Sequence, residues 1–87
     1  MSSNYDLEFS NQARKFIKKL KDKKLLSEFA AAFENLKKNP HAGKFLQGDL
    51  KGYHSLRIGK YRIIYSIYRL RLMIFIERIS HRKESYR

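Results

Sequence analysis

Gly59-Lys60 constrains this chain more than any other pair of residues. It lies between His54-Ser55-Leu56-Arg57-Ile58 and Tyr61-Arg62-Ile63-Ile64-Tyr65, two runs rich in β-branched and aromatic residues. A two-residue connection led by glycine has the chemistry of a type II′ turn, whose twist suits antiparallel strands. The spacing predicts a β-hairpin with Ile58 opposite Tyr61, Arg57 opposite Arg62, Leu56 opposite Ile63 and His54 opposite Tyr65. A one-residue slip would throw the apolar partners onto opposite faces, so the alternation itself supports this register.

Side chains alternate along a strand, and the hairpin therefore has two unlike faces. One carries Leu56, Ile58, Tyr61, Ile63, Tyr65 and Ile67, with His54 at its rim, and reads as a core face. The other carries Tyr53, Ser55, Arg57, Arg62, Ile64, Ser66 and Tyr68. It sets two arginines opposite each other, an arrangement that costs a few tenths to about 1 kcal/mol. Either the two guanidiniums fan apart into water, or an anion lies between them, since the guanidinium fork suits phosphate.

The remaining elements follow from local signals. Tyr5, Leu7 and Phe9 alternate with Asp6 and Glu8, predicting a short strand with one buried face. Ser10 can cap a helix from Asn11, in which Ala13, Phe16, Ile17 and Leu20 form one apolar stripe. Asp22 is placed to cap a second helix running to about Lys38, with Leu25, Leu26, Phe29, Ala32, Phe33 and Leu36 on its buried side. Asn39-Pro40 ends it, because a residue before proline avoids the helical region. The short link predicts an antiparallel helix pair. His41 to Gly52 reads as a loop in which Lys44 and Lys51 stand beside Phe45 and Leu50, the two apolar residues being expected to tuck under the sheet. The apolar run from Leu72 to Ile76 supplies a last strand. The whole is a single domain over residues 1–87, an α+β two-layer sandwich. Its N-terminal strand and helix pair pack on one small sheet that ends in a three-strand meander.

Composition narrows the chemistry. Twelve aromatic residues and a 43% hydrophobic fraction suffice for a compact core, and the absence of cysteine excludes disulfides and thiolate chemistry. The N-terminus shows no basic region followed by an apolar stretch, and Leu72 to Ile76 is far too short to cross a bilayer. The expectation is a soluble cytoplasmic protein that makes no use of a membrane. A formal charge of +12 predicts a polyanionic partner. The excess is concentrated late: from Leu50 onward ten Lys and Arg face two acids, whereas the earlier ten face six.

No Gly-rich phosphate loop and no His/Asp/Glu set with metal spacing is present, and His41, His54 and His81 are dispersed, so neither a metal nor a cofactor is expected. RNA cleavage by internal attack requires neither. The 2′-hydroxyl attacks its own phosphate while the protein aligns the nucleotide, moves protons and stabilises charge. Arg57, Arg62, His81, Arg82 and Tyr86 meet at one end of the sheet if the tail folds back over the second face. Each also has a plain alternative: His81 as an exposed tail residue, Tyr86 as a core plug, the arginines as solvated charge.

Leu50-Lys51-Gly52-Tyr53, Leu56-Arg57-Ile58-Gly59-Lys60-Tyr61-Arg62-Ile63-Ile64-Tyr65, Ile79-Ser80-His81-Arg82 and Tyr86 together resemble the RelE/ParE toxin superfamily of type II toxin–antitoxin systems. The order and spacing of these segments, with two helices before them, carry the resemblance across almost the whole chain. It implies the RelE-like fold and, on the RelE side, a ribosome-dependent endoribonuclease that cuts mRNA in the A site without a metal. By position, Arg62 matches the arginine that contacts the scissile phosphate, Arg82 the late arginine of charge stabilisation or proton donation, and Tyr86 the tyrosine that stacks on the base. His81 stands where relatives have Lys or His, completing the implied catalytic set. Arg57, Lys51, Lys44 and Tyr53 are the residues expected to hold RNA. Either lysine can stand in for the basic residue that many RelE-type enzymes have at the position of Ser55. The resemblance also implies a cognate antitoxin, with the toxin monomeric alone and part of a hetero-oligomer in the complex. The alternatives within the superfamily are a ParE-like inhibitor of DNA gyrase without nuclease activity and an inactive relative that only binds its antitoxin.

Overall fold

The computed structural model describes residues 4–81. In chain order these form β1 (Asp6–Phe9), α1 (Asn11–Lys19), α2 (Lys23–Lys38), β2 (Lys44–Phe45), β3 (His54–Ile58), β4 (Tyr61–Tyr68) and β5 (Met73–His81). The five strands make one mixed sheet in the order β1-β5-β4-β3-β2. β1 runs parallel to β5, and the other neighbours are antiparallel. Both helices cover one face, giving the expected two layers. The first strand thus pairs with the last.

Local chemistry sets the boundaries. The Ser10 side chain accepts from the Ala13 amide at 3.1 Å, and Asp22 Oδ1 accepts from the Lys24 and Leu25 amides at 3.0 and 3.1 Å. Caps of this kind contribute about 1 kcal/mol each. Gly59 turns the hairpin with φ 58°, where a side chain would be strained. The four expected pairs, Ile58–Tyr61, Arg57–Arg62, Leu56–Ile63 and His54–Tyr65, are all present.

The core lies between helices and sheet. Ala13, Phe29, Leu36, Ile63, Tyr65, Ile74, Ile76 and Ile79 are fully buried within it. Phe16 and Phe29 both meet the Tyr61 ring edge-on, at 5.5 and 5.9 Å, and Phe9 meets Phe33 at 5.2 Å. These contacts lock the helical layer to the strands, and burying a ring such as Phe29 contributes roughly 2–3 kcal/mol.

Two expectations are corrected. The stretch after Pro40 is not wholly loop, because Lys44 and Phe45 pair with Ser55 and His54 as a fifth, edge strand. Phe45 and Leu50 do not tuck under the sheet; they are 49% and 43% exposed. Phe45 sits on the outermost strand, where its ring meets that of His54 at 5.2 Å and stays half exposed. Leu50 ends a 3-10 turn, Gly48–Leu50, that lies beyond the strands. Among the described residues, no helix is long and apolar enough to cross a membrane.

Candidate functional site

The face that the helices leave open carries a cluster of cations. Ile58 and Tyr61 close the two-residue turn as a hydrogen-bonded pair, so Arg57 and Arg62 occupy the next, non-hydrogen-bonded position. There the Cα atoms approach to about 4.5 Å and the side chains are closest. On the other side of Arg62 stands Ser80 of β5. The neighbouring row on the same face reads Arg78, Ile64, Ser55 and Lys44 across β5, β4, β3 and β2. Lys44, Arg57, Arg62 and Arg78 thus fall within two adjacent rows. A depression of about 620 Å³ is lined by Gly43, Lys44, Leu46, Ser55, Arg57 and Arg62, among others. Lys44 and Arg57 are exposed and Arg62 is half-buried. An anion seated there would convert like-charge repulsion into charge-assisted hydrogen bonding.

The rim of this depression is pinned by a buried phenol. The Tyr65 hydroxyl donates to the Pro40 carbonyl at 2.8 Å and accepts from the Gly43 amide at 3.0 Å. Gly43 can be nothing larger, since a Cβ there would lie 2.6 Å from both the Ser55 carbonyl oxygen and the Tyr65 hydroxyl. This close approach delivers Lys44 to its place beside Ser55. Burial pushes the Tyr65 phenol up, against a smaller opposing effect of the Gly43 hydrogen bond, so the hydroxyl keeps its proton. His54 stacks on Tyr65 at 5.3 Å and meets His41 at 5.7 Å. Burial, and secondarily the His41 charge, hold its imidazole below the usual histidine range. At pH 7 it is neutral and adds no charge to the open face.

A bulge in β5 decides which late residues join the site. Ile64 pairs with Arg78 but Tyr65 pairs with Ile76, leaving Glu77 as an extra residue. Strict alternation from Ile74 and Ile76 would have sent Ile79 and His81 to the open face. The bulge reverses the parity. Ile79 enters the core, and His81 faces Tyr61 on the helix-covered side with the rings 5.4 Å apart. His81 is therefore not brought together with Arg57 and Arg62, contrary to expectation. The same inversion places Arg78 in the cationic rows. The one sequence signal for it was the break in apolar alternation after Ile76.

The bulge is held from outside the sheet. Ser10 donates its hydroxyl to the Glu77 carbonyl at 2.6 Å. Gln12 reaches Ile79 twice, donating to its carbonyl at 2.7 Å and accepting from its amide at 2.9 Å. Past Phe9 the edge of β5 has no strand beside it among the described residues, and these side chains satisfy its backbone groups.

Of the other expected RNA-binding residues, Lys51 is exposed just after the Gly48–Leu50 turn and Tyr53 is half-buried before β3. Neither lines the depression. Arg82 and Tyr86 lie outside the described residues. Among the described residues, no three His, Asp or Glu side chains gather where they could hold a metal ion.

Fold and face together define a small α+β domain that presents cations on an open sheet, a build that this chain shares with toxins of known structure. Residues 7–86 match the family described as ParE toxin of type II toxin–antitoxin system, parDE. Toxin RelG of Mycobacterium tuberculosis is 34% identical over 84 residues, covering 95% of this chain and 97% of its own. Toxin RelE of the same organism is also 34% identical over 84 residues, covering 95% of this chain and 87% of its own. In the solved RelBE2 toxin–antitoxin complex from that bacterium, one chain superposes with a TM-score of 0.80 at 32% identity. That likeness covers 97% of this chain and 98% of the other. The chain belongs to the RelE/ParE toxin superfamily of type II toxin–antitoxin systems.

Proposed function

We propose that this toxin is a ribosome-dependent endoribonuclease that cleaves mRNA in the A site. The observation that carries the reading is the opposed pair Arg57–Arg62, with Lys44 and Arg78 beside it on an open face. In 2′-hydroxyl attack on the adjacent phosphate, negative charge grows on the phosphorane oxygens. Fixed guanidiniums stabilise that charge without reorganising as it develops. Arg62, half-buried and held at mid-sheet, is the better placed to meet the scissile phosphate. Arg57 and Lys44 grip the flanking backbone, with Lys51 and Tyr53 further out along the strand. Arg82 as the late cation or proton donor, and Tyr86 as the base-stacking ring, complete the site as the superfamily resemblance implies. His81, against Tyr61 on the helix-covered side, supports the end of β5. The chain acts in the cytoplasm, with a cognate antitoxin as its partner in a hetero-oligomer. RelG and the RelBE2 toxin support this side of the superfamily.

The test is a primer-extension map of a reporter message in a translation extract. Cuts confined to translated codons, and lost when ribosomes are withheld, are the expected result. Arg62→Ala should lower the cleavage rate by about 10²-fold or more with the fold intact. Full cleavage by that variant would remove Arg62 from the site. The match to the ParE family favours a second reading, inhibition of DNA gyrase. Gyrase-dependent linear DNA beside an uncut message would select it.

A further inference from the structure

The turn between β4 and β5 gathers exposed apolar and cationic side chains. Five large apolar side chains are exposed among the described residues, and three of them, Tyr68, Leu70 and Leu72, fall within five consecutive positions. Leu70 is fully exposed at the tip, and Arg69 and Arg71 flank it. Single exposed leucines are ordinary, whereas a cationic-apolar cluster on one turn is not. The turn is also tightly made. Arg69–Arg71 forms a 3-10 turn closed by the Leu72 amide on the Arg69 carbonyl at 3.1 Å, and Leu72 carries φ 51°. A left-handed leucine costs about 1–2 kcal/mol. The Leu72 carbonyl in turn accepts from the Asp6 amide at 2.8 Å, which ties the turn to β1. Ile67 to Arg71 wall a shallow hollow of about 440 Å³.

We infer that this turn is an RNA-docking element, distinct from the cleavage face, that sets Leu70 against nucleobases while Arg69 and Arg71 engage the flanking phosphates. An apolar wedge between two guanidiniums is complementary to a polyanion with apolar faces inside it. The net charge of +12 points to the same class of partner. Arg62 and Tyr68 lie six residues apart on one strand, or roughly 20 Å. A message strand on the arginine pair therefore leaves the turn free to meet a second, structured stretch of RNA. Within the ribosome-directed reading, on which this inference rests, that stretch is ribosomal RNA, and the turn orients the open face toward the message.

The experiment is co-sedimentation of the purified toxin with ribosomes over a salt series. Leu70→Ala and the double variant Arg69→Ala/Arg71→Ala are compared with the parent, and unchanged urea midpoints verify the fold. Leu70→Ala, which removes three carbons of apolar surface, should bind about tenfold more weakly with an unaltered salt slope. The double variant should lower the slope of log affinity against log salt by about two. Parent-like binding by both variants would overturn the docking role and leave the nuclease reading standing. A parent protein that ignores ribosomes altogether would overturn that reading, and the inference with it. A Leu70→Ala defect confined to anionic vesicles or to the antitoxin would assign the turn to lipid or protein instead, and would also overturn it.

Discussion

Tyr65→Phe removes one oxygen atom and reports on how the depression is assembled. The ring stays, so no cavity larger than a hydroxyl opens and the stack with His54 survives. What is lost is the partner of two backbone groups, the buried Pro40 carbonyl at 2.8 Å and the half-buried Gly43 amide at 3.0 Å. An unsatisfied buried group costs about 1–3 kcal/mol. Water can partly replace the hydroxyl at Gly43, so the expected total is about 2–3 kcal/mol. In a domain of this size each kcal/mol moves the thermal midpoint by about 4–8 °C, which gives a fall of roughly 10–20 °C. Urea unfolding should show a lower midpoint at unchanged slope. Hydrogen exchange at Gly43 should accelerate more than at β4 amides, because the tether and not the sheet is cut. Tyr68→Phe, at a phenol exposed to solvent, is the control and should be neutral. A loss under about 0.5 kcal/mol for Tyr65→Phe would refute the reasoning, since Pro40 and Gly43 would then be shown not to depend on the phenol.

Stability should also depend on pH through His54. Its imidazole titrates lower in the folded than in the unfolded chain, so the unfolded chain binds more protons between the two values. The contribution is full above about pH 6.5 and is lost as pH falls from there through the folded value. Urea midpoints at pH 7.5 and 5 should therefore differ more for the parent than for His54→Phe, and equal differences would count against this account. Gln12→Ala should cost about 1–2 kcal/mol, because both backbone groups of Ile79 lose their partner. Exchange of the Ile79 amide is the direct readout, and an unchanged rate would show that the β5 edge is protected by other means.

Much of the architecture was legible because its causes are local. Ser10 and Asp22 accept amides two or three residues ahead, Asn39-Pro40 stops a helix by sterics, and Gly59 supplies the one positive φ that the hairpin needs. Register followed from the turn, and with it the opposition of Arg57 and Arg62. The site was only partly legible. Arg57 and Arg62 stand opposite each other as the register implies, and Lys44 joins them through the edge strand, but His81 does not, and Arg78 replaces it on the open side. Both differences trace to one unpaired residue, Glu77, whose carbonyl is held by a serine 67 positions away. No window of sequence contains that contact.

The sequence by itself determined the hairpin, the helix limits and the sign of the charge, since each depends on residues within one turn or one strand pair of one another. Tertiary structure alone decided three things. These are the edge strand at Lys44–Phe45, the parity of β5 beyond Ile76, and the cavity rim built on Tyr65 and Gly43. The physical reason is common to all three. A two-residue strand, a bulge and a glycine contact have little stability of their own, and each exists because a distant partner satisfies its backbone groups.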